Sequence, residues 1–257
     1  MPAIVLLTDF GSRDYYVGVM KGVISSMNPV ARVIDLTHDI EPQNIKQGAF
    51  VLWASRKYFP DDSIFVSVVD PGVGSDRRII CGSIEGRLYL APDNGLLDYV
   101  VAESAEHQFR TVTNRNLFLR SVSTTFHGRD IFAPIAAHLS RGLRLNELGE
   151  SFSYPRCSPF YTSISTGKNM GEVVYQDRFG NVFTSFLWRE ELLQRGATLK
   201  IGNRVVTKFA ATYSAALTKG LIGIKGSSGL LELAVNGGSA ARVLKSAVGD
   251  KVALILK

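Results

Sequence analysis

Asp70 and Arg77 stand seven residues apart in VVDPGVGSDRR (68–78). A carboxylate can take a proton from a nucleophile, and a guanidinium can steady the anion that results. Pro71, Gly72 and Gly74 lie between them, so the pair reads either as an ordinary tight turn or as a turn that holds both groups against a substrate. Other reactive side chains recur in similar settings. TDFGSRD (8–14) carries Asp9 and Asp14, and Asp39 follows Thr37-His38. TTFHGRDIFAP (124–134) sets His127 and Arg129 just before a helical pattern. There Gly128 admits close backbone approach, and a helix start offers unpaired N–H groups. DRFGN (177–181) supplies Asp177, Gly180 and Asn181, the last of which both donates and accepts and so suits a purine edge. Singly, each has a structural reading: Asp9 or Asp14 as a helix cap, Asp39 as a loop brace, His127 as a satisfied structural histidine. Asp9, Asp39, Asp70 and His127 could also surround a divalent ion, although they form no compact ligand motif such as HExxH.

The elements that must position these groups follow from periodicity. AIVLLT (3–8) is a continuous apolar run, as expected of a strand buried on both faces. Val17, Met20, Ile24 and Met27 fall at helical spacing over 14–27; RVIDLT (32–37) reads as a second strand; Ile45, Ala49, Leu52 and Trp53 mark a second helix ending near Phe59-Pro60; SIFVSVV (63–69) is a third strand. Strand, helix, strand, helix, strand predicts a parallel sheet with crossover helices. Ligands in such sheets gather beyond the carboxyl ends of the strands. Three strands ending at Asp9, Asp39 and Asp70 therefore predict a polar pocket at one sheet edge. RIICGSI and RLYLA, separated by Glu85-Gly86, form a predicted hairpin. NGLLDYVVAE and RDIFAPIAAHLS read as helices, the second despite Pro134. SFSYPRCSPFYTSISTGKN (151–169) lacks periodicity and is the candidate linker. Beyond it, GEVVYQ, NVFTSF, TLKIGN, LIGIK, LLELAV and KVALIL are short strands between Gly and Asn, indicating a small β domain. The expected organisation is an N-terminal α/β domain over 1–155 with a mainly parallel sheet, a linker over 156–169 and a smaller C-terminal β-barrel over 170–257.

Composition narrows the function classes. With 46% hydrophobic and 20% charged residues in 257, the chain can bury a sizeable core. No stretch approaches the roughly 20 apolar residues of a membrane span, and MPAIVLLTDFG, with no basic region, reads as a core strand rather than a signal peptide. Cys81 and Cys157 show neither disulfide density nor metal-site spacing; the expectation is two reduced, buried thiols in a cytoplasmic protein. The net charge of +6 is scattered, with no basic run longer than a pair, so neither a nucleic-acid groove nor a membrane surface is expected.

Taken in order, TDFG…D (8–14), DLTHDI (35–40), VVDPGVG (68–74), APDNG (91–95), FHGRD (126–130), DRFGN (177–181) and SSGLLELAVN (227–236) resemble the S-adenosyl-L-methionine hydroxide adenosyltransferases, adenosine-forming hydrolases related to the fluorinase and chlorinase. The resemblance runs from residue 3 to about 256. It implies an α/β domain followed by a β-barrel, a homotrimer with active sites between subunits, no cofactor and no metal. It also implies a water-activating set of Asp70, Arg77 and His127. Asp9 would bind the ribose hydroxyls and Asp14 the methionine ammonium. Asn181 would read adenine, with Phe183 packing against substrate and Val235 and Gly237 offering backbone contacts. Ser227 matches a methionine-contacting serine, and Glu232 is a further candidate for the methionine end. The fluorinase has Arg where Ser228 stands, Tyr where Asp70 stands and Tyr-Ser where His127-Gly128 stand. A chloride-dependent halogenase within the family is one alternative; a metal-dependent phosphohydrolase and a non-catalytic nucleoside or nucleic-acid binder are others.

Overall fold

AIVLLT forms β1 (Ala3–Thr8), buried at every position as its unbroken apolar character requires. The computed structural model describes residues 1–215 and 220–256, which divide into two compact units, Met1–Ser158 and Pro159–Lys257. In the first unit β1 is followed by α1 (Tyr16–Met27), β2 (Arg32–Thr37), α2 (Ile45–Ser55) and β3 (Ile64–Val68). The hairpin of β4 (Ile79–Ile84) and β5 (Arg87–Pro92) comes next, then α3 (Asp98–Val101), β6 (His107–Thr111), α4 (Ala133–Ser140) and the short β7 (Ser151–Phe152). The sheet order is β2-β1-β3-β5-β4-β6-β7. β2, β1, β3 and β5 run parallel, and β4, β6 and β7 add antiparallel. The sheet is thus parallel at the strands that Asp9, Asp39 and Asp70 follow and antiparallel beyond.

Side-chain alternation sorts the helices to the two faces. Ile4 and Leu6 of β1 and Val66 and Val68 of β3 pack with Met20 and Ile24 of α1 and Ile135, Ala136 and Leu139 of α4. Leu7 and Val69 face the opposite way, where Gly48 of α2 approaches them. Burying a side chain such as Leu6 completely is worth roughly 1.5–3 kcal/mol.

Two local expectations are modified. NGLLDYVVAE is mostly a turn, with only Asp98–Val101 helical. Asn94 spends its side chain on Val69 O and Leu96 N–H, and Gly95 takes φ +96°. RDIFAPIAAHLS is helical, but Gly128–Phe132 forms a π turn and α4 begins at Ala133, which puts Pro134 in the first turn, where a missing N–H costs little.

The second unit holds β8 (Gly167–Gln176), β9 (Val182–Leu187), α5 (Glu191–Gln194), β10 (Ala197–Ile201), β11 (Arg204–Val206), β12 (Leu221–Lys225), β13 (Leu230–Val235), α6 (Ala240–Leu244) and β14 (Lys251–Leu256). They form one antiparallel sheet in the order β11-β10-β14-β8-β9-β13-β12. It curls toward closure: Phe209, just after β11, bridges Gly223 of β12. Val173, Val182, Leu199, Leu231, Leu233 and Leu254 fill the interior. The fold class is therefore the expected one, an α/β unit followed by a barrel-like β unit. Cys81 is buried, with its thiol pushed up to about 12; Cys157 is only partly buried, against expectation. Among the described residues no helix is long and apolar enough to cross a membrane.

Candidate active site

β1 and β3 are neighbours in register, with Thr8 beside Val68, so Asp9 and Asp70 emerge at the same carboxyl edge. The turn after β3 closes through Val73 N–H to Asp70 O at 3.2 Å and Ser75 N–H to Gly72 O at 3.1 Å. Gly74 sits there at φ +81°, and a Cβ on it would come within 2.4 Å of Thr124 O. Only glycine lets this turn lie against the segment that carries His127.

The close approach assembles the expected trio. Arg77 Nε donates to Asp70 Oδ1 at 2.7 Å and Oδ2 at 2.8 Å, and Nη2 also bonds Oδ2. The same Nη2 lies 3.0 Å from His127 Nδ1. The Asp70 side chain is 4% exposed and that of Arg77 10%, so the pair interacts with little solvent screening. Guanidinium nitrogens only donate, so His127 Nδ1 accepts, and the ring proton of the neutral side chain sits on Nε2. His127 is fixed from behind as well. It leads into the π turn, where fully buried Asp130 accepts from Ser123 N–H at 2.7 Å and binds Arg129.

Burial first and Arg77 second hold the His127 pKa below the ordinary 6.5; Asp70, Asp130 and a hydrogen bond to the Ser123 backbone oppose them. The unfolded chain therefore binds this proton at a pH where the folded chain does not. Stability falls as pH drops from 6.5 through the lowered folded value, then levels off. His138, lowered by burial and Arg141, contributes with the same sign. His127→Gln should show a shallower loss of unfolding free energy than wild type in denaturant melts between about pH 7 and 5.5, the His138 share being retained. An unchanged slope would contradict the lowered value.

Asp70, His127 and Asp9 share a cavity of about 160 Å³ with Phe10, Tyr16 and Phe126. The three rings touch one another, with centroids 5.0–6.0 Å apart, and make one wall apolar. Arg77 is not among the lining residues; it stands behind the acid and the imidazole. Asp9 does not cap α1. Its Oδ2 accepts from Gln43 N–H at 2.8 Å. Asp14 is exposed, does not line the cavity and makes no cap contact, since α1 has no side-chain cap. Asp39 is exposed too, away from Asp9 and Asp70 in this cavity. Among the described residues no three His, Cys, Asp or Glu side chains are placed to hold a metal ion.

In the second unit a larger cavity, about 860 Å³, is lined by Asn181, Val235, Gly237, Asp177 and Tyr213 among others. Asp177 accepts from Phe179 N–H at 3.0 Å, Asn181 N–H at 2.8 Å and Asn181 Nδ2 at 2.9 Å. The Asn181 amide is thereby oriented, and its carbonyl oxygen and second Nδ2–H are the groups left to offer. Gly180, at φ +83°, lets this turn touch Ser239, whose Oγ would stand 2.0 Å from a Cβ. Phe183 and Glu232 are paired across β9 and β13 and are 8% and 2% exposed. Neither lines the cavity, and Ser227 is exposed outside it. Glu232 accepts from Tyr213 Oη at 2.5 Å; burial, supported by Asp177, raises its pKa against that bond. Reading the sequence singled out Asp177 beside Asn181 without giving it a role, and missed Tyr213 and the three rings. Isolated aromatics offered no signal, because they resemble core.

Family models agree in both units. The SAM hydroxide adenosyltransferase N-terminal domain matches residues 4–149 and the corresponding C-terminal domain residues 171–253. An (R)-S-adenosyl-L-methionine hydrolase of Salinispora arenicola is 36% identical, covering 98% of this chain and 97% of its own length. A fluorinase of an Actinoplanes species is 26% identical, covering 82% of this chain and 80% of its own. The crystal structure of an uncharacterized conserved protein from Thermotoga maritima superposes with TM-score 0.91 at 36% identity, covering 98% of this chain and 99% of that one. With the Asp70–Arg77–His127 arrangement in one unit and both domain models matched in order, the chain belongs to the SAM hydroxide adenosyltransferase family.

Proposed function

We propose that this chain hydrolyses S-adenosyl-L-methionine to adenosine and L-methionine, water attacking ribose C5′ as the C5′–sulfur bond breaks. The carrying observation is the largely buried Asp70–Arg77 pair with His127 bonded to it, Asp70 and His127 facing a small cavity with one aromatic wall together with Asp9. The name of the Salinispora relative specifies the (R) sulfonium epimer, and the proposal extends to that epimer. The bond pair goes to sulfur, methionine leaves as a neutral thioether, and the water proton goes to Asp70. Attack on a sulfonium destroys charge, so an apolar wall of Phe10, Tyr16 and Phe126 favours the transition state. Water has a pKa of about 15.7 and Asp about 3.9, so Asp70 holds no standing hydroxide; it accepts the proton as the O–C bond forms. Arg77 fixes the carboxylate and the His127 ring. His127, with Nδ1 engaged, orients water rather than taking its proton.

We further infer that Asp9 receives the ribose hydroxyls and Asn181 the adenine edge, with backbone of Val235 and Gly237 beside it. Phe183 packs beneath, while Asp14, Ser227 and Glu232 serve the methionine end. The family resemblance supports a homotrimer with active sites between subunits, which the solution mass will test. In oxygen-18 water the label should enter adenosine and not methionine, with either sulfonium epimer as substrate. Methylthioadenosine or S-adenosylhomocysteine as product would exclude this reaction, and chlorodeoxyadenosine formed with chloride would make the chain a halogenase.

A further inference from the structure

Between the first two strand ends lies a histidine that the proposed chemistry leaves unused. His38 follows β2 directly and is 8% exposed. Its Nδ1 is 2.8 Å from Oγ1 of Thr8, the fully buried last residue of β1. Its backbone carbonyl accepts from Gly11 N–H at 2.8 Å. These two contacts bracket Asp9 and Phe10, both of which line the cavity. Thr8 Oγ1 also takes Phe10 N–H at 3.3 Å, so the hydroxyl ties the loop to itself as well as to His38.

The far side of the ring sets the direction of these bonds. His38 Nε2 approaches Asp35 Oδ1 to 3.0 Å, an ion-pair distance without hydrogen-bond alignment. Asp35 in turn holds Lys21 Nζ at 2.6 Å. Burial alone would raise the Asp35 pKa, but Lys21 and His38 outweigh it and the carboxyl lies below its ordinary value. An ionised Asp35 favours the ring proton on Nε2. Nδ1 is then an acceptor, and the Thr8 hydroxyl donates to it. The chain Lys21–Asp35–His38–Thr8 thus runs from the surface to the base of the Asp9 loop.

We propose that His38 is a positioning residue for the substrate ribose: through Thr8 and Gly11 it fixes residues 8–11 so that the Asp9 carboxylate meets the sugar hydroxyls. With Asp9 Oδ2 already engaged by Gln43 N–H, Oδ1 is the oxygen whose placement matters. The inference rests on the reading that Asp9 receives the ribose, and the experiment separates the two.

The full chain is prepared as Asp9→Ala, His38→Leu, His38→Asn, Thr8→Val and the His38→Leu/Thr8→Val pair. Dissociation constants for adenosine and 2′-deoxyadenosine are measured by calorimetry, with melting temperatures on the same samples. Asp9→Ala should abolish the preference for adenosine. His38→Leu and Thr8→Val should each weaken adenosine binding about tenfold, as expected for one displaced hydrogen-bonding group, and weaken deoxyadenosine less. The double variant should be no worse than the poorer single one, since both remove one interaction. His38→Asn, whose amide oxygen can take the Nδ1 position, should recover most of the affinity. If His38→Leu does not fold, Thr8→Val, which keeps the branched shape, still decides. Equal loss for both nucleosides, or wild-type discrimination in Thr8→Val and His38→Leu alongside its loss in Asp9→Ala, overturns the positioning role. Wild-type discrimination in Asp9→Ala overturns the ribose reading itself.

Discussion

Asp70→Asn should lower turnover by roughly 10²–10⁴-fold, the share a positioned general base contributes. Affinity for adenosylmethionine should change far less, because the lost interaction matters chiefly as the proton moves. The carboxylate is 4% exposed and is grasped by Arg77 through Nε and Nη2. Asparagine keeps the shape but offers one acceptor oxygen and an amide that confronts guanidinium donors. Stability should fall as well, since removing one partner of a buried ion pair strands the other. A lower melting temperature therefore decides nothing. The discriminating quantity is turnover per folded molecule, measured with affinity and melting on one sample. If VVDPGVG were merely a turn, the molecules that remain folded would work at the normal rate, and that result would sink the role given to Asp70.

The parts of this site that are local in sequence were legible, and those built by tertiary contact were not. AIVLLT and SIFVSVV announce buried strands, and the acids at their ends fall at one sheet edge because parallel strands end together. The Asp70–Arg77 pair is spanned by a single turn. His127 is fifty residues further on, and its approach depends on Gly74 meeting Thr124, which no periodicity encodes. The π turn at Gly128–Phe132 is likewise invisible to a 3.6-residue pattern, although it explains how Pro134 can follow. Phe10, Tyr16 and Phe126 read as ordinary core aromatics, and only in the fold do they become a wall beside Asp70 and His127. Asp14 shows the opposite case. Its place before α1 suggested a cap, yet the chain enters that helix through Tyr15 with no side-chain cap. Family resemblance supplied roles that residue spacing alone left open, above all for Asn181 and Ser227.

Arg77→Lys is expected to lose roughly 10²–10³-fold in turnover, within the range seen when one preorganised donor is removed from an active site, even though the positive charge is retained. The reason is geometric. Arg77 uses Nε and Nη2 on Asp70 while Nη2 also reaches His127 Nδ1 at 3.0 Å, and one planar fork holds both partners in fixed relation. A lysine ammonium is a single point of donation on a flexible stem and cannot hold both in that relation. The side chain also stands behind the cavity rather than in it, so its effect should pass through the placement of Asp70 and His127. A second readout tests this without reference to turnover. The Arg77 charge is one of two causes that depress the His127 pKa, after burial. In Arg77→Ala that cause is gone while Asp70 still pulls upward, so the imidazole should titrate at higher pH than in wild type, followed by its ring proton resonances. Arg77→Lys should leave the titration lower than in Arg77→Ala, because a cation remains nearby, while turnover stays poor. Wild-type turnover in Arg77→Lys would mean that charge alone suffices and that the fork contributes nothing. A His127 titration unmoved in Arg77→Ala would mean that burial alone holds the ring neutral and that the Arg77–His127 contact has no electrostatic consequence.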